Sequence, residues 1–118
     1  QSPMQRHKEA EKNLQEQWED ELKAAVEAEY RRQRSELLAV IQAWLRDIWL
    51  LARTGAGATS AMDLLMFPAI KGTDTIAHRI TPAQAQDNLQ VIEQLQRWLF
   101  TNVQEALALE VGLLKLHL

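Results

Sequence analysis

Asn102-Val103-Gln104-Glu105-Ala106-Leu107-Ala108-Leu109-Glu110-Val111-Gly112-Leu113-Leu114-Lys115-Leu116 is the most informative run in the chain. Its apolar residues fall on two rows at helical spacing, Leu107, Val111 and Leu114 on one and Leu109, Leu113 and Leu116 on the other. The pattern predicts a terminal helix that is apolar almost all round. Such a helix is normally covered on more than one side. In a chain this short, one cover is the rest of the domain and the other is a partner. Asn102, with Glu105 three residues on, predicts a capping box at its start.

Working back along the chain, Thr81-Pro82-Ala83-Gln84 is a strong helix start. Thr81 caps, Pro82 suits the first helical position and Gln84 closes a second capping box. Ala85, Leu89, Ile92, Leu95 and Leu99 then run down one face. Before it, Lys71-Gly72-Thr73-Asp74 reads as a turn, residues 75–79 as one short helix, and residues 62–67 as a short apolar helical turn halted by Pro68. Residues 54–60, with Gly55 and Gly57, read as a flexible loop.

Residues 4–53 contain neither glycine nor proline and are rich in good helix formers. Leu37, Ile41, Trp44, Leu45, Ile48 and Leu51 form a broad core face, widened by Leu38 and Trp49. Upstream, Leu14, Trp18, Leu22, Ala25 and Val26 make a narrow stripe on an otherwise charged segment. That segment predicts a polar, partly projecting helix. Ser35 either caps a new helix or is passed straight through. The expected organisation is therefore a charged helical lead over residues 1–34 and a helical domain over residues 35–118. The fold class is all-α, a bundle of about four to five helices with a long charged N-terminal helix.

At 118 residues the chain has room for a single core without staples. Net charge is mildly acidic, 13 Lys and Arg against 16 Asp and Glu, which gives no global attraction to nucleic acid. With no cysteine there is no disulfide, thiolate nucleophile or zinc–thiolate site. No apolar run is long enough to span a bilayer. The charged amino terminus is not a signal peptide, and the start at Gln1 reads as a piece of a longer protein.

No catalytic set assembles. His7, His78 and His117 are not spaced for a shared metal. Gly55-Ala56-Gly57 lacks both the preceding strand and the Gly-Lys-Ser/Thr of a phosphate loop. Asp47, Asp63, Asp74 and Asp87 are scattered, and Asp47 is expected to bind either a loop backbone or an arginine of a neighbouring helix. Arg31, Arg32 and Arg34, beside Tyr30, are candidate weak DNA contacts, although Glu27, Glu29 and Glu36 cancel much of their field. Trp49 and Trp98 sit at the margins of their stripes, where a tryptophan either edges a core or anchors an interface.

Three segments together resemble the carboxy-terminal domain of bacterial DNA polymerase III clamp-loader subunits, most closely those of the delta prime type. They are Trp44-Leu45-Arg46-Asp47-Ile48-Trp49-Leu50-Leu51, the capped helix from Ile80-Thr81-Pro82 to Ile92, and the tail from Asn102-Val103 to Leu116 with its Leu107-Ala108-Leu109-Glu110. Tyr30-Arg31-Arg32-Gln33-Arg34 is similar to the basic helix that often precedes the Arg-Asp segment. Gln104 and Glu105 depart from the family's usual Asn-Pro. The resemblance covers about residues 30–118. It implies a helical collar domain in the bacterial cytoplasm, which joins other clamp-loader subunits in a ring that loads the sliding clamp during DNA replication. Nucleotide and zinc sites belong to other modules of that family, so no activity, cofactor, metal or small-molecule substrate is implied for this segment. Trp49, Leu109, Leu113 and Leu116 are the candidate partner-facing residues. Rival readings are the gamma/tau ATP-binding subunit of the same family, a homo-oligomeric helical adaptor pairing through its first helix, and a small nucleic-acid-binding protein.

Overall fold

A serine followed by proline opens the first helix. Ser2 Oγ accepts the Gln5 N–H at 3.3 Å, and Pro3 takes the first helical position, where no N–H is needed. With no helix breaker before Thr54, α1 extends over Pro3–Thr54 and passes through Ser35 without a stop. It ends with the Thr54 hydroxyl donating back to the Leu50 carbonyl at 2.7 Å, and with Arg53 in the last turn, where a cation suits the helix dipole.

The computed structural model describes residues 2–54, 63–101 and 104–118. It is all-helical among them, with α2 at Gly72–Arg79, α3 at Pro82–Phe100 and α4 at Glu105–Leu114. The chain divides into two units, Gln1–Ser35 and Glu36–Leu118. In the first, exposed side chains pair along the helix at three- and four-residue spacing: His7 with Glu11, Gln15 with Glu19, Gln17 with Glu21, and Glu29 with Arg32 and Gln33.

The second unit carries the core. Leu38, Leu45, Ile48 and Leu51 of α1 meet Ala77 of α2, Ile92, Leu95 and Leu99 of α3 and Ala108 of α4. Leu45, Ile48, Ile92 and Leu95 are almost wholly removed from solvent. Each such side chain contributes about 1.5–3 kcal/mol of transfer free energy. The capping box at α3 is complete: Thr81 Oγ1 accepts the Gln84 N–H at 3.1 Å and Gln84 Oε1 accepts the Thr81 N–H at 3.0 Å.

Four local expectations change. Leu37, expected on the core face of α1, is exposed, and Leu38 beside it is buried in its place. Residues 63–67 form turns and bends rather than helix, because the Asp47 carboxylate takes the Met66 and Phe67 N–H groups that a helix would have used. The turn expected at Lys71–Asp74 is already the first turn of α2, which starts at Gly72. There Thr73 Oγ1 accepts the Trp44 indole N–H at 2.8 Å, so a tertiary contact favours helix where local composition favoured a turn. Finally, α4 begins at Glu105 with Gln104 at its cap and no side-chain capping bond; Asn102, the expected cap, lies outside the described residues. The expected loop at 54–60 falls outside them beyond Thr54, as does Met62.

Gly112 decides how α4 approaches α3. A methyl group built there would stand 3.1, 3.3 and 3.4 Å from Leu95 side-chain carbons. Glycine costs about 1 kcal/mol of helix propensity relative to alanine. Leu95 is completely buried and has little space to yield, and overpacking costs about 1–3 kcal/mol. Crowding outweighs propensity, so Gly112→Ala is expected to destabilise the unit by about 1 kcal/mol. Urea denaturation checks the sign, and a stabilised variant would show that Leu95 gives way.

Candidate docking surface

The inward face of α4 carries two small residues. Ala108 and Gly112 are buried, and half-buried Leu109 packs against the core beside them. Past the helix end, Leu116 also packs against the core. Its position is held by Asn88, which is itself buried on α3. Asn88 Nδ2 donates to the His117 carbonyl at 2.8 Å, and Asn88 Oδ1 accepts the His117 N–H at 2.7 Å. The His117 ring adds a contact, its Nε2 lying 3.0 Å from Asp87 Oδ2.

With that face turned inward, the row Leu107, Val111, Leu114 is turned outward. These residues are 53%, 37% and 79% exposed. Leu113 on one flank and Leu118 beyond the helix are also exposed. The result is an exposed apolar row at helical spacing on a helix of ten residues, and exposed apolar residues grouped on one face mark interaction sites.

The candidate partner-facing residues thus separate. Leu113 is exposed, while Leu109 and Leu116 are half-buried against the unit's own core. Trp49 is half-buried, and the Arg53 guanidinium lies over its ring at 5.2 Å. Trp98 is likewise half-buried, with the Lys115 ammonium 5.3 Å from its ring centre. It lines a groove of about 630 Å³ shared with Asp87, Gln94, Arg97, Gly112 and Lys115. That groove mixes both signs of charge with apolar stems and is distinct in character from the outward row of α4.

A second exposed apolar spot was not anticipated. Asp47 is fully buried and accepts the N–H groups of Met66 and Phe67 at 2.9 Å each. Of the two arrangements open to it, a loop backbone and an arginine, it makes the first. It pins a bend from which Leu64, Met66 and Ile70 face solvent. The signal in the sequence was an aspartate set within an apolar helical face, which requires a donor from elsewhere in the fold.

In the lead unit, the candidate DNA-contacting arginines are partly engaged. Arg32 binds the Glu29 carboxylate through two nitrogens, and Gln33 binds it as well. These hydrogen bonds, Arg32 first, hold the Glu29 carboxyl below its ordinary pKa. Arg34 lies over the Tyr30 ring at 5.9 Å, and Arg31 is exposed. Among the described residues no three His, Asp or Glu side chains converge as a metal site, and no helix is long and apolar enough to cross a membrane. His7 and His78 each lie near a carboxylate on their own helix, Glu11 and Asp74.

Comparison with protein-family models, curated proteins and solved structures finds no match to the chain.

Proposed function

We propose that this chain is a collar-type oligomerisation domain of a bacterial clamp-loader subunit of the delta prime type, which binds other subunits of the loader and has no catalytic role of its own. The observation that carries the reading is the outward row Leu107, Val111 and Leu114 on a helix whose opposite face is already packed on its own core. An apolar surface of this kind on a small helical unit calls for a partner. The resemblance of Trp44–Leu51, Ile80–Ile92 and the Leu107-Ala108-Leu109-Glu110 tail supplies the partner's class.

The test is to mix the chain with the intact partner subunits of a clamp loader and measure mass by size exclusion with light scattering. A hetero-oligomer is expected. The double variant Leu107→Asp, Leu114→Asp should weaken it by about a hundredfold, since it places a charge at both ends of the proposed contact. Its thermal stability should move by no more than about 1 kcal/mol, because both sites are exposed. Failure to form a complex, or wild-type binding by the double variant, overturns the reading.

A further inference from the structure

The lead unit carries an apolar row of its own. Leu14, Trp18, Leu22, Val26 and Tyr30 recur every four residues along α1, and all are exposed, from 49% at Leu22 to 66% at Leu14. Single exposed apolar residues are ordinary. A row of five, with a tryptophan next to its central leucine, is a ridge of the i±4n type, the kind that interdigitates with a like ridge on a second helix.

We infer that this row is a self-docking surface, on which a second copy of the chain packs antiparallel with Leu22 at the two-fold axis. The charges select the occupant and its direction. Glu19 and Glu21 flank the row just before Leu22, whereas Lys23 and Ala25 flank it just after. A parallel, in-register pair would set the two glutamates against their own images. The antiparallel pair sets them across from Lys23 and Ala25 of the second copy, so that Lys23 of each chain comes within reach of Glu19 of the other. Glu16, Asp20 and Glu27 lie about 120–160° around the helix from Leu22 and face away from the contact, and Glu29, close to the row, is engaged by Arg32 and Gln33. Ala25 leaves room for close approach, and Trp18 of one copy then faces Val26 of the other. This surface is separate from the outward row of α4, so the inference does not rest on the function proposed above.

Sedimentation equilibrium over a micromolar to millimolar range tests it. The mass of the chain should rise from 13.5 kDa toward twice that value. Trp18→Glu should weaken association by roughly a hundredfold. Lys23→Glu should weaken it by about tenfold, as two surface ion pairs are lost by symmetry, and adding Glu19→Lys should restore it. These sites are exposed, and helix content by circular dichroism serves as the folding control. A mass fixed at 13.5 kDa throughout the range overturns the inference. So does association that ignores both the Lys23→Glu change and its reversal, which would signal a parallel pair or a different surface.

Discussion

Asp47→Ala is expected to lower the stability of the Glu36–Leu118 unit by about 3 kcal/mol. The carboxylate is fully buried and accepts two backbone N–H groups, each at 2.9 Å. Hydrogen bonds to a charged acceptor contribute more than neutral ones, and their loss leaves the Met66 and Phe67 amides without the acceptor around which the bend is built. For a unit of this size the loss corresponds to a fall of roughly 15 °C in Tm. Asp47→Asn keeps the shape and one acceptor but turns an NH2 group toward an N–H, so it should cost about 2 kcal/mol. Thermal and urea denaturation give both numbers. Hydrogen exchange at Met66 and Phe67 should accelerate in the alanine variant. A loss below about 1 kcal/mol would mean that water satisfies these amides just as well.

Asn88→Ala is expected to cost about 2 kcal/mol, and its effect should be local. The amide closes a two-way clasp on His117, at 2.8 and 2.7 Å, and so seats Leu116 against the core. Without it the tail should open ahead of the rest of the unit, read as early loss of exchange protection at residues 116–117. Asn88→Asp should be worse, at about 3 kcal/mol, because it sets a buried carboxylate against the His117 carbonyl. By contrast His117→Ala keeps the backbone clasp and loses only the ring's contact with Asp87, a partly exposed pair. It should cost less than about 1 kcal/mol. Equal losses for Asn88→Ala and His117→Ala would place the stabilisation in the ring instead of the backbone. Because the tail follows directly from α4, the same clasp bears on which residues of that helix face outward.

The α4 surface illustrates the limit of periodicity. Two leucine-containing rows were legible, and so was the surplus of apolar arc. Their assignment to inside and outside was not, because hydrophobicity ranks Leu107, Val111 and Leu114 with Leu109, Leu113 and Leu116. The choice is made by approach distance. Ala108 and Gly112 let α4 settle directly on α3, where Leu95 fills the space beside Gly112. The neighbouring Leu109 is carried inward with them, while Leu107, Val111 and Leu114 are turned out. Gly112, for all its cost in helix propensity, is the place where the two helices meet.

The all-helical class, the charged helical lead, the core face of Leu45, Ile48 and Leu51 and the capping box of Thr81 and Gln84 are legible in the order of residues, since each is a matter of spacing within a turn or two of one helix. The bend that Asp47 holds from 19 residues away, the tail that Asn88 holds from 29 residues away and the side of α4 left uncovered come from the folded arrangement alone. Those depend on which distant backbone donors and carbonyls come within hydrogen-bond reach and on how closely two helices can approach. Neither quantity is written in the local order of residues.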